Sequence, residues 1–121
     1  MAAFTLSLTP NRTFNSDVEI CFAGGQKGKM GATFIYRTLD ELKEQAESNP
    51  VKPDATKEEA DANMIAFVRF IMQDWKLKET TAKFTDENIV LLMSNYPMLL
   101  EAITETYYRE LLGARAKNSK R

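Results

Sequence analysis

The sequence predicts an α+β fold: a small N-terminal three-stranded antiparallel sheet followed by a bundle of about four helices. Two observations predict it. Apolar and polar residues alternate over the first 37 residues, which is the period of half-buried strands. Beyond them, apolar residues recur at intervals of three and four, the period of amphipathic helices. We expect one domain over 1–121, with a β-rich part (1–37), a helical part (38–112) and a flexible basic tail (113–121).

Three segments carry the alternation that predicts strands: Phe4, Leu6 and Leu8; Val18, Ile20 and Phe22; Ala32, Phe34 and Tyr36. Thr9-Pro10-Asn11 interrupts the chain after the first segment and indicates a turn. A glycine-rich stretch, residues 24–29, separates the other two. It leads into a strand and lacks the Gly-Lys-Ser/Thr ending of a phosphate-binding loop. We therefore interpret it as a hairpin turn.

The first predicted helix follows the third strand. Thr38 or Asp40 can cap its N-terminus, and it should end before Pro50, because the residue before a proline disfavours helical backbone. The stretch 48–55 contains two prolines and is the expected internal loop.

The second predicted helix is long and central. It begins at Thr56, which forms a capping-box pattern with Glu59, and runs to about Lys76. The acids Glu58, Glu59 and Asp61 fit its first turns, where the helix dipole favours negative charge, better than they fit a catalytic pair. Its apolar residues recur at helical spacing: Met64, Ile65, Val68, Ile71, Met72 and Trp75.

Two further helices complete the predicted bundle. Thr85 or Asp86 can cap the third helix, Pro97 suits the first turn of the fourth, and Gly113 is placed to end it. Apolar residues recur along both helices at Ile89, Leu92, Met93, Tyr96, Leu100, Ile103, Tyr107 and Leu111. The expected core contains Trp75, Val68, Ile71, Leu100 and Ile103.

The composition argues against an enzyme or a metalloprotein. The chain contains no histidine, the commonest general base and transition-metal ligand. Cys21 is the only cysteine and has no adjacent cation in the sequence to activate it, so a structural role on the second face of the sheet is the default. We expect no cofactor, no bound metal and no catalysis.

Net charge is −1, but it is uneven. The tail from Gly113 carries four basic residues and no acid, which leaves about −5 for the remainder. Without interleaved aromatic residues the tail would support only weak, non-specific nucleic-acid binding, so nucleic acid is not an expected partner. No apolar run approaches the roughly 18 residues of a membrane span, and no secretory signal is visible, so we expect a cytoplasmic protein.

Several short motifs, taken in order, resemble the bacteriophage tail assembly chaperone family. The C-terminal half contributes Phe84-Thr85-Asp86-Glu87-Asn88, Asn95-Tyr96-Pro97, Tyr107 or Tyr108, and Leu112-Gly113-Ala114-Arg115-Ala116-Lys117-Asn118. The N-terminal half contributes Phe4-Thr5-Leu6-Ser7, Thr13-Phe14, Val18-Glu19-Ile20, Gly24-Gly25, Phe34-Ile35-Tyr36-Arg37-Thr38 and Asp40-Glu41-Leu42. The resemblance covers nearly the whole chain, whereas 48–56 matches nothing in it.

The resemblance implies a non-enzymatic chaperone that binds the tape-measure protein of the same phage, keeps it soluble and helps to recruit tail-tube subunits. It places the protein in the cytoplasm of the bacterial host and not in the mature virion, with homo-oligomerisation possible. The alternative is a small phage-encoded inhibitor or adaptor that acts on a host complex. A histidine-free enzyme that uses only carboxylates has no supporting motif.

Four apolar residues lie off the predicted buried faces of the helices and are the candidate partner surface. They are Phe70, Leu91, Tyr108 and Leu112. Large apolar residues that are exposed together usually mark an interface. The alternative is that a second layer of the monomer covers them.

Overall fold

A computed structural model describes residues 8, 13–48, 52–78 and 81–113. The elements are β1 (Thr13–Phe22), β2 (Gln26–Ile35), α1 (Leu39–Ser48), α2 (Lys57–Ile71), β3 (Met72–Lys76), α3 (Asp86–Asn95) and α4 (Leu99–Leu111). The strands form one antiparallel sheet in the order β1-β2-β3. The predicted α+β fold, a three-stranded antiparallel sheet with four helices, is confirmed.

Parts of the predictions lie outside the described residues. The first predicted strand is outside them except for Leu8, which is fully exposed. The turn at Thr9-Pro10-Asn11 and the basic tail from Ala114 onward are outside them as well.

β1 and β2 form a long hairpin that pairs from Thr13 opposite Ile35 to Phe22 opposite Gln26. A single 3₁₀ turn, Ala23–Gly25, joins them. Gly24 and Gly25 have φ of 79° and 77°, a left-handed conformation that glycine adopts without steric cost. The hairpin interpretation is confirmed, although the turn is shorter than predicted because β2 already begins at Gln26.

The third strand of the sheet does not come from the N-terminal part of the chain. α2 ends at Ile71, and the next residue begins β3, which pairs antiparallel with β2. The prediction that the long helix continues to about Lys76 is therefore wrong. Trp75, expected on that helix, is a buried strand residue.

A β-bulge explains why β3 has a helical sequence pattern. Phe34 pairs with Met72 and Ala32 with Trp75, so two core positions two residues apart on β2 face positions three apart on β3. Gln73 is the additional residue. A spacing of three is also what a helix predicts, so the apolar pattern of α2 continues unbroken into the strand.

Side-chain caps define where three helices begin. Thr38 and Glu41 exchange reciprocal hydrogen bonds of 2.9 and 3.1 Å at the start of α1. Thr56 and Glu59 form the predicted capping box at the start of α2. Thr85 accepts from a backbone N–H in the first turn of α3. Thr38, not Asp40, and Thr85, not Asp86, are the caps.

The core lies between the helices and one face of the sheet. Four of the five expected core residues, Val68, Ile71, Trp75 and Ile103, are buried, whereas Leu100 is partly buried and packs against the core. The aromatic centre was not predicted as such: the ring of Tyr107, fully buried on α4, lies 5.3 Å from Phe34 and 6.0 Å from Phe14. It joins α4 to the sheet.

Candidate partner-binding surface

The structure separates the four candidate partner residues into two pairs. Leu91 and Leu112 are exposed, at 59% and 57% of their maximal accessible surface. Phe70 and Tyr108 are partly buried and pack against the core. The two leucines are therefore accessible to a partner. The two aromatic residues, in contrast, contribute to the packing of the monomer and expose only part of their surface.

Arg37 covers Phe70. Its guanidinium carbon lies 4.2 Å from the centre of the Phe70 ring, and its Nε donates a 2.9 Å hydrogen bond to the Phe70 carbonyl. Arg37 also forms an ion pair with Glu41 of α1, with 3.9 Å between a terminal guanidinium nitrogen of Arg37 and Glu41 Oε2. Helical spacing predicts that Phe70 lies off the buried face of α2. The side chain that covers it, Arg37, belongs to the segment that follows β2.

Tyr108 and Leu112 form one continuous strip at the C-terminal end of α4. The Leu112 N–H donates a 2.9 Å hydrogen bond to the Tyr108 carbonyl, which places the two residues one turn apart. The Tyr108 ring meets the Tyr107 ring edge-on, with centroids 5.6 Å apart. The exposed leucine thus extends from a half-buried aromatic residue that is anchored in the core.

Leu91 lies in a shallow hollow between α2 and α3. Ile65 of α2 and Val90 beside it supply the other apolar side chains, and Asp86 and Glu87 supply an acidic rim. Arg69 Nε donates to Asp86 Oδ1 at 2.6 Å, which ties the end of α2 to the start of α3. A partly exposed interhelical ion pair therefore lies at the edge of the hollow.

Sequence reasoning did not predict the exposure of two apolar residues, one in the Leu91 hollow and one outside it. Ile65 belongs to the apolar pattern that predicts an amphipathic α2, yet it is only partly buried and lines the hollow. Leu39 is 61% exposed in the first turn of α1.

In the part of the chain that the structure describes, no group of three or more His, Cys, Asp or Glu side chains is arranged to hold a metal ion. Cys21 is exposed on β1. Glu59 has its pKa lowered by the Thr56 backbone N–H and by the Thr56 hydroxyl, which identifies this acid as part of a helix cap. In the same residues, no helix has the length and apolarity needed to cross a membrane.

Comparison with known proteins identifies the family. The model of a family described as phage tail assembly chaperone matches residues 1–118. Searches of the curated proteins and of the solved structures find no match. The matched range includes every helix and strand described above and the hollow at Leu91. Membership implies a non-enzymatic assembly factor that binds phage tail proteins. The chain belongs to the phage tail assembly chaperone family.

Proposed function

We propose that the protein binds the tape-measure protein of its phage, keeps that long chain soluble before the tail is built, and helps to recruit tail-tube subunits around it. The family match over residues 1–118 carries this proposal. The exposed side chains of Leu91 and Leu112 support it, because apolar surface that the monomer leaves uncovered is what a binding protein presents to its partner.

The hollow at Leu91 is the proposed contact for an apolar helix of the tape-measure protein. Amphipathic helices dock in hydrophobic grooves through side chains at i, i+3, i+4 and i+7. Ile65, Val90 and Leu91 offer such a helix apolar contact on one side. Burying an exposed leucine fully contributes about 1.5 to 3 kcal/mol, so a few such contacts give moderate affinity. Leu112 adds a second contact from the end of α4.

A moderate affinity suits an assembly factor. The bound segment must leave the chaperone when tube subunits polymerise around the tape-measure protein, so tight binding would hinder assembly. Transient interfaces bury less than about 1,200 Å², and one shallow hollow together with the single leucine at the end of α4 would form an interface of that class.

Co-expression tests the proposal directly. Fragments of the tape-measure protein that tile its length are produced with and without the chaperone, and the soluble fraction is separated by size-exclusion chromatography. We expect at least one fragment to be insoluble alone and to co-elute with the chaperone when both are made. A helical fragment of an unrelated protein, matched in length and apolar content, is the control and should not co-elute. Tape-measure fragments that never co-elute would contradict the proposal.

A further inference from the structure

A second apolar groove lies between α1, α2 and α4, and it shares no residue with the Leu91 hollow. Its volume is about 520 Å³, within the range of about 300 to 1,000 Å³ typical of ligand sites. The apolar side chains that line it are Ala46, Ala55, Ala60, Met64, Phe67 and Leu100, and the polar ones are Gln45, Lys52 and Asn63. The groove can accept several apolar side chains of a bound segment.

The floor and the rim of this groove differ in burial. Met64, Phe67 and Leu100 pack against the core from below and remain partly exposed. Ala46 and Ala60 are exposed on facing helices and leave the groove open, because their side chains are short. Methionine adapts its shape to different apolar partners, which suits a docking floor.

The net negative charge of the chain is concentrated in α1, in the first half of α2 and in the segment between them. Residues 38–63, which form α1 and the first half of α2 with the segment between them, contain eight acidic residues and three lysines. The tail 113–121 contains four basic residues and no acid. The rest of the chain contains nine residues of each sign and is neutral. A ligand at the groove therefore lies between helices that carry an excess of acids, although the charged side chain that lines the groove itself is Lys52.

Few of these acids are neutralised locally. Lys57 Nζ lies 2.9 Å from Asp61 Oδ2, and the Arg37 guanidinium lies 3.9 Å from Glu41 Oε2. Glu44, Glu47 and Glu58 are exposed and have no ion-pair partner in the described part of the chain. These three belong to the two helices that form the groove walls. The Debye length is about 8 Å at physiological salt, so exposed charges on the same short helices act on a bound segment.

We infer that this groove docks an amphipathic helix whose apolar stripe is flanked by lysine or arginine. The groove supplies the apolar contact, and the acids of α1 and α2 attract the basic flanks and fix the orientation of the helix. That the helix belongs to a phage tail protein rests on the proposed function, whereas its chemistry rests on the groove and its charge. The chaperone then has two separate docking surfaces.

A pair of synthetic helices tests the chemistry. The first, about 15 residues long and labelled with a fluorophore, carries leucines at i, i+3, i+4 and i+7 and lysines elsewhere; the second replaces every lysine by glutamate. Fluorescence anisotropy measures binding to the full-length protein. We expect the lysine peptide to bind about tenfold more tightly or better at low salt, and this preference to shrink as salt rises. Equal binding of the two peptides would overturn the inference.

Matched substitutions on α2 place the binding site. Ala60→Lys puts a long cation into the groove, whereas Ala62→Lys makes the same change at an exposed position that does not line it. Both should leave the circular dichroism spectrum and the melting temperature unchanged. We expect the first variant to bind the lysine peptide about tenfold more weakly or worse, and the second to bind it like the wild type. Equal losses in both variants would overturn the assignment.

Two further variants exclude other occupants and separate this inference from the proposed function. If replacing Arg115, Lys117, Lys120 and Arg121 by glutamine tightened peptide binding tenfold, the chain's own tail would be the occupant, and the inference would be wrong. If the wild type were a dimer that Ala60→Lys made monomeric, a second copy would be the occupant, and the inference would again be wrong.

Leu91→Asp should leave peptide binding intact. Loss of tape-measure binding in that variant alone therefore concerns only the proposed function.

Discussion

The Tyr107 hydroxyl donates a 2.9 Å hydrogen bond to the carbonyl of Ile35 and so joins the middle of α4 to the end of β2. The two residues are 72 positions apart in the chain. Because the Tyr107 ring is also fully buried against Phe34 and Phe14, this one side chain connects the last helix to the hairpin by both packing and a polar contact. Tyr107 is thus one of the α4 residues that position the helix against the sheet.

Removing this hydroxyl should destabilise the protein modestly. In Tyr107→Phe the ring packing stays, but the Ile35 carbonyl loses its side-chain donor, which costs about 1 to 3 kcal/mol. Urea denaturation measures the change. Tyr108→Phe is the matched control, because its hydroxyl makes no hydrogen bond among the described residues, and it should change the free energy of unfolding by less than about 0.5 kcal/mol. Equal effects of the two changes would contradict the role assigned to the bond.

Alkaline pH should weaken the fold through the same residue. Burial raises the pKa of Tyr107 to about 12, partly offset by the backbone and charge of Arg37. An unfolded tyrosine ionises near pH 10, so the folded state retains a proton that the unfolded state loses. This contribution to stability is complete below pH 10 and declines as pH rises toward 12. Denaturation midpoints of wild type and Tyr107→Phe, measured across that window, should fall more steeply for the wild type; parallel curves would contradict the shift.

Two leucine-sized truncations should differ because their burial differs. Ile71 is fully buried where α2 meets β3, so Ile71→Ala should cost about 2 to 5 kcal/mol. Leu100 is only partly buried at the groove floor, so Leu100→Ala should cost clearly less. Thermal and urea unfolding would measure both. A larger loss of stability for Leu100→Ala than for Ile71→Ala would contradict this difference in burial.

Deleting Gln73 tests the bulge that connects α2 to the sheet. Without this residue, Met72 and Trp75 become two positions apart and can still face Phe34 and Ala32. The deleted chain should therefore fold, with some loss of stability. Deleting Thr33 from β2 is the control, because a one-residue slip turns the rest of that strand to the other face, and it should abolish folding. Circular dichroism distinguishes the outcomes; the reverse order would refute the pairing.

Local signals in the sequence predicted much of this fold. The hairpin at Gly24 and the caps at Thr56 and Thr85 depend on residues a few positions apart, which periodicity and capping rules describe. The switch from α2 to β3 was missed because the bulge at Gln73 gives the strand a helical spacing. Pairing with β2 overrides that local preference, and no local pattern reports such a pairing.

The candidate surfaces divide in the same way. Helical placement correctly indicated that Leu91 and Leu112 leave the core, because their exposure depends on the face of one helix. Phe70 is covered by Arg37, which lies 33 positions earlier in the chain. The groove floored by Met64 and Leu100 requires three helices to meet. Sequence periodicity describes residues that are close together in the chain, so it does not predict features that combine distant segments.

The most direct test of the account compares tape-measure binding by two leucine variants of equal chemistry. Leu91→Asp alters the proposed contact in the α2–α3 hollow, whereas Leu39→Asp alters an equally exposed leucine outside it. Each is co-expressed with the tape-measure fragment that the wild type retains, and the co-eluting fraction is measured by size-exclusion chromatography. We predict that both variants fold, that Leu39→Asp keeps the fragment, and that Leu91→Asp loses it. A folded Leu91→Asp variant that still retains the fragment would contradict the account.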